Sequence, residues 1–140
     1  MSEITADINW LAVIVGTVLS FGFGMVWFSP KLFGKKWAEG NNLNPEGPAR
    51  PPVGAINVQF VGTFLLAWVV GVTAKNDALL TILLITVTMV ALNGASALFT
   101  GKNAYVRHTD AGYTIAIVVI MTICQGIFSN LRRTPNTFLL

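Results

Sequence analysis

The placement of charge constrains this chain more than any other feature. Its nine Lys and Arg and six Asp and Glu leave four uninterrupted neutral stretches, residues 8–30, 51–74, 78–101 and 111–131, each at least 21 residues long. A helix rising about 1.5 Å per residue needs about 20 residues to cross a hydrocarbon core about 30 Å thick. Charged residues make up only 11% of the chain, against about 25% in an ordinary soluble domain, and the mean hydropathy is +0.66. The fold class expected is therefore all-α: a polytopic membrane protein of one domain, residues 1–140, with four transmembrane helices at about 8–29, 53–74, 78–100 and 111–131. A transmembrane β-barrel needs segments that alternate apolar and polar residues. The run Leu79-Leu80-Thr81-Ile82-Leu83-Leu84-Ile85 does not.

Glu3 and Asp7 precede the first apolar run with no Lys or Arg, so a cleavable secretory signal is not expected and the first helix should remain. Asp7, Asp77 and Asp110 stand where N-caps of the first, third and fourth helices are expected, and Pro51-Pro52 where the second begins. Lys75-Asn76-Asp77 alone links spans two and three, which must then lie antiparallel and adjacent. Arg132-Arg133 suit the end of the fourth at the headgroups. One cysteine, Cys124, excludes an intramolecular disulfide.

The segment 30–52 is expected to begin with a short helix lying in the interface. In Ser29-Pro30-Lys31-Leu32-Phe33-Gly34-Lys35-Lys36-Trp37, a capping serine and first-turn proline precede the anchors Lys31, Phe33, Lys35, Lys36 and Trp37, aromatic side down and ammonium groups up. Residues 40–48 are rich in Gly, Asn and Pro and read as an irregular loop. With both termini on one face, that face carries Lys75, Arg132 and Arg133, and the other Lys31, Lys35, Lys36, Arg50, Lys102 and Arg107. The positive-inside rule then puts the termini outside the cytoplasm.

Each span carries a stripe of small or weakly polar residues: Gly16, Ser20 and Gly24 in the first; Gln59, Thr63, Ala67 and Gly71 in the second; Thr86, Asn93, Ser96 and Thr100 in the third; Thr114, Thr122, Gln125 and Ser129 in the fourth. These stripes are expected to face one another, since in lipid small-residue packing and polar pairs hold helices together. The alternative is that they line a conduit. Asn93 and Gln125 are the residues most costly to leave in hydrocarbon and are therefore expected to make buried contacts.

Ionisable groups are absent from all four neutral stretches, which disfavours coupled transport and proton relays. The sole histidine, His108, is expected in a loop between Lys102 and Asp110, with no second ligand at metal-binding spacing. No nucleophile elbow, phosphate loop or acid pair is present. Neither enzyme activity, a cofactor, a metal site nor nucleic-acid binding is expected. The partners expected are membrane lipids and copies of the chain or other membrane subunits. Two function classes remain: a structural or accessory subunit acting by helix association, and a passive channel or uniporter for a small neutral solute. The first is preferred, because four helices with small-residue seams can close on themselves.

Asn9-Trp10, Trp27-Phe28-Ser29-Pro30, Leu32-Phe33-Gly34 and Trp37 resemble the opening of a bacterial domain-of-unknown-function family of small four-helix membrane proteins. In that family the pattern runs Asn-Trp, an apolar span, Trp-Tyr-Ser-Pro, Leu-Phe-Gly and Trp. Ala97-Leu98-Phe99, Ala111-Gly112-Tyr113 and Met121 are similar to its ending. Phe28 replaces the usual tyrosine, and Thr122 stands where a glycine often follows the methionine. The resemblance implies a four-helix fold in the bacterial inner membrane and no established activity. A fainter echo links Ser29-Pro30-Lys31-Leu32-Phe33-Gly34-Lys35 with Ser96-Ala97-Leu98-Phe99-Thr100-Gly101-Lys102, as a duplicated hairpin would.

Overall fold

The computed structural model describes residues 1–45 and 52–133. Six helices follow one another: α1 (Ser2–Thr5), α2 (Trp10–Trp27), α3 (Gly34–Gly40), α4 (Val53–Lys75), α5 (Leu79–Phe99) and α6 (Ala104–Arg133). Four of them, α2, α4, α5 and α6, are long and apolar enough to cross a bilayer. Among the described residues there is no strand.

α6 is the hub, touching α2, α3, α4 and α5. Val13 of α2, Leu66 and Val70 of α4, and Ile117, Val118 and Met121 of α6 close a core in which Val13, Val70 and Met121 are at most 1% exposed. α2 meets both α4 and α6 through Val13, Gly16, Thr17, Ser20 and Gly24, so its small residues let larger neighbours approach. α5 is peripheral: it buries only Ile82, Thr86 and Ala97 and packs chiefly on α6. Leu11, Val18, Leu65, Leu84, Leu92 and Ile123 point outward. Lipid accepts such an apolar exterior and water does not.

The helix ends depart from the sequence expectation in ways that local chemistry explains. Asp7 and Asp77 are not N-caps; they take left-handed backbone angles, φ 59° and 52°. Such φ values suit Asp and Asn among the residues with side chains. Asp77 closes α4: Ala78 N donates to Thr73 O at 2.9 Å, as in a Schellman turn. Asn42 and Gly101, at φ 57° and 69°, do the same for α3 and α5 through Leu43 N to Ala38 O and Lys102 N to Ala97 O. The cap of α2 is Asn9, whose Oδ1 accepts from Ala12 N at 3.2 Å.

The largest correction concerns the start of the fourth span. Asp110 does not cap it, and of the expected loop 102–110 only Lys102 and Asn103 lie outside helix. Asn103 Oδ1 accepts from Val106 N at 3.0 Å, and α6 begins at Ala104. Arg107, His108 and Asp110 thus lie in its first two turns, ahead of the neutral stretch 111–131, where hydropathy carries no helix signal.

The interfacial helix is also shorter than expected. Residues 29–33 form turns in which Ser29 O accepts from Leu32 N and Gly34 N, and the helix proper starts at Gly34. Pro52, not the proline pair, is the N-cap of α4; Pro51, Arg50 and residues 46–48 of the expected loop lie outside the described residues. The echo between residues 29–35 and 96–102 has no structural counterpart: Gly34 opens a helix, whereas Gly101 ends one with a positive φ.

On the terminal side, α1 folds over the end of α4. Lys75 Nζ donates to Glu3 O and Ala6 O at 2.6 and 2.9 Å, and Trp68 Nε1 to Ile4 O at 2.7 Å. An ammonium on free carbonyls at a helix C-terminus is favourable for the same reason that cations favour such ends.

Candidate functional site

Besides the bonds of α4 to α1 on the terminal side, polar cross-links between helices gather at the loop side of the bundle. They form there because α6 runs two turns beyond the neutral stretch and gives α3 and the end of α2 a surface to pack on. Trp27 Nε1 donates to Thr109 O at 3.3 Å, and Trp37 Nε1 to Asp110 Oδ1 at 2.7 Å. Gln59 Nε2 of α4 reaches the Tyr113 hydroxyl at 3.4 Å. Tyr113 is the centre of the group. Its ring stacks on Phe23, meets Phe28 edge-on with centroids 5.1 Å apart, and lies over Gly24. A Cβ at Gly24 would stand 2.7 Å from the tyrosine oxygen, so this position admits no side chain without moving the ring.

The aromatic packing continues through Trp27 on Phe33, centroids 4.5 Å apart, and Phe28 on Trp37, 5.0 Å apart. Phe33 and Trp37, both partly exposed, therefore seat α3 on the end of α2. Lys31, Lys35 and Lys36 are exposed as expected, with Lys36 Nζ 5.6 Å from the centre of the Tyr105 ring. Burial raises the Asp110 carboxyl above the usual carboxylate range; the Trp37 hydrogen bond and the charge of Lys102 pull it back part of the way.

The small and polar stripes divide. Gly16, Ser20 and Gly24 lie in the seam between α2 and its neighbours, with Met121 and Cys124 against Gly16. Thr63 and Gln125 are buried, and the Gln125 amide lies beside Gly71 between α4 and α6. Gln59 joins the Tyr113 cluster from an exposed position. Asn93 and Ser96 face outward. The four stripes do not meet as one set, and of their hydroxyls among the described residues Thr63 alone links two helices, through the Tyr113 hydroxyl. Thr63, Thr86, Thr114 and Thr122 each donate to the carbonyl four residues earlier in their own helix. That bond is always within reach of a helical threonine, so in Thr86, Thr114 and Thr122 it wins over a partner across the seam, and in Thr63 it accompanies one.

Sequence reasoning missed Thr109 and Asp110 as cross-linking groups because it began the fourth helix at 111 instead of 104, and it passed over Tyr113, which lies inside the expected span, as one more apolar position. Asn103, a good cap seven residues before Asp110, was the signal that recovers the first two. Among the described residues no three His, Cys, Asp or Glu side chains come together as a metal site requires.

A second surface lies around the corner of α6. An open groove of about 520 Å³ runs between the loop-side half of α5 and the first turns of α6, with Arg107 and His108 at its polar end.

No curated protein and no solved structure matches the chain. Phe28 packs on Tyr113 and on Trp37, and Trp27 packs on Phe33 and beside Gly112, so residues from the first and the last long helix share one aromatic cluster. A family model described as a protein of unknown function, DUF1761, matches residues 11–126, and the chain belongs to that family.

Proposed function

We propose that the protein is a non-enzymatic structural or accessory subunit of the bacterial inner membrane that acts by helix association, with copies of itself or with a larger complex. The observation that carries this reading is Asn93. Its spacing places it on the same face of α5 as Ile82, Thr86 and Ala97, which are buried, yet Asn93 is exposed. In an antiparallel hairpin the stretch of α4 at that depth is about 57–62, and it is exposed too. An amide facing hydrocarbon gains a hydrogen bond when another helix covers it, worth roughly 0.6 to 2 kcal/mol per polar pair. The filled centre weighs against the conduit reading, since Val13, Val70 and Met121 occupy the space between α2, α4 and α6.

The test is purification from native membranes in mild detergent, with mass and composition measured for wild type and Asn93→Leu. The wild type should run above one chain mass or with a constant companion, and Asn93→Leu should shift it to the single chain at an unchanged melting temperature. A lone monomer for the wild type would defeat the proposal. So would glycerol or urea flux through wild-type proteoliposomes that Asn93→Leu or Gln125→Leu abolishes without loss of stability; that result would install the channel in its place.

A further inference from the structure

We infer that the groove between α5 and α6 binds one anionic phospholipid, its phosphate on Arg107 and an acyl chain along Ala91, Gly94, Ala95 and Leu98. This goes beyond helix association and does not depend on it.

Three features of the groove select this occupant. Its floor is a small-residue surface of α5, where Gly94 has no atom within 4 Å of the position a Cβ would take, so a slender chain can lie against the backbone. Its polar end holds Arg107, whose Nε is buried and finds no hydrogen-bond partner among the described residues. The nearest carboxylate along the helix, Asp110, accepts from Trp37 instead. That Nε is covered by protein, so an anion in the groove would meet the terminal nitrogens of Arg107, whose positive charge and planar fork match phosphate oxygens. Arg107 and His108 also stand near the N-terminus of α6, where positive side chains oppose the helix dipole and a bound phosphate relieves it.

Depth favours a lipid over a free anion. The cationic end lies just outside the neutral stretch 111–131 and the apolar floor lies within the span of α5, which reproduces the order of headgroup and chain in a bilayer leaflet. A soluble phosphate would use the first and leave the second empty.

The full-length protein, stripped of lipid in neutral detergent, would be offered dioleoylphosphatidylglycerol, dioleoylphosphatidylcholine or inorganic phosphate, with retained lipid counted by native mass spectrometry and melting temperature followed in parallel. Phosphatidylglycerol should be retained about tenfold better than phosphatidylcholine, because both offer a phosphate to Arg107 but the quaternary ammonium of phosphatidylcholine offsets that charge and is repelled by the guanidinium. Arg107→Gln should abolish the preference. Gly94→Leu, which fills the floor and leaves the arginine in place, should lose the retained lipid while melting like wild type in its absence. Lys35→Gln, on the exposed interfacial segment, should keep the preference. Equal retention of the two lipids, or undiminished phosphatidylglycerol binding by both Arg107→Gln and Gly94→Leu, would overturn the site. Stabilisation by inorganic phosphate equal to that by phosphatidylglycerol would overturn the lipid as its occupant.

Discussion

At the scale of single residues, Ser20 separates what the sequence makes legible from what it does not. Its place in a ridge with Gly16 and Gly24 is readable from four-residue spacing, and all three are buried in the seam of α2. Its chemistry is not readable that way. Ser20 is 0% exposed and its hydroxyl has no hydrogen-bond partner among the described residues, so its small size is what the seam uses. Ser20→Ala should therefore leave the melting temperature in detergent unchanged or raise it, the gain reaching about 1 kcal/mol because an unsatisfied buried hydroxyl is removed. Ser20→Leu should cost about 1 to 3 kcal/mol by overpacking. A loss of more than about 1 kcal/mol in the alanine variant would show that the hydroxyl is bonded after all. Asn93 teaches the converse: its cost in hydrocarbon is legible in the sequence, but whether its own chain covers it depends on how far α4 and α5 stay together, which no spacing encodes.

At the scale of elements, the ends of the four long helices fall within two residues of the bounds expected from the neutral stretches, except at the start of α6. Charge marks where a helix leaves hydrocarbon, not where it ends, so the two turns from Ala104 were invisible to it. Those turns dock α3, through Trp37 on Asp110 and through Gly40 against Val106. The docking should respond to pH. Because burial raises the folded-state affinity of Asp110 for its proton, the protonated form favours the folded protein. Stability should be greatest below the ordinary carboxylate value of 3.8, decline as pH rises from there through the raised folded-state value, and stay level above it. Melting curves from about pH 3 to pH 7 for wild type and Asp110→Asn isolate this group from the other acids. The difference between the two proteins should grow across that window; a constant difference would mean that Asp110 titrates alike folded and unfolded.

At the scale of the whole molecule, the bundle is asymmetric in a way that bears on its orientation. The loop side has exposed lysines at 31, 35 and 36, the aromatic and carboxylate docking site, and Arg107 at the groove. The terminal side has Lys75 turned onto the carbonyls of α1, so one of its three cations is engaged within the protein. Cations that remain free are the ones a membrane potential and anionic headgroups act on, which strengthens the six-to-three count made from the sequence. The loop side is therefore expected in the cytoplasm, and the termini outside it. Ser2 and Asn42 lie on opposite sides and are both exposed or partly exposed; Asn42 closes α3 at φ 57°. Single cysteines at each, in a Cys124→Ser background, would be challenged with an impermeant maleimide on intact spheroplasts and again after lysis. Ser2→Cys should label on intact cells and Asn42→Cys only after lysis. Because a left-handed backbone at Asn42 disfavours cysteine, Asn41→Cys beside it provides an unstrained second probe of the same side. Labelling of Asn41→Cys and Asn42→Cys on intact cells, with Ser2→Cys protected, would invert the molecule in the membrane and place the lipid groove in the outer leaflet.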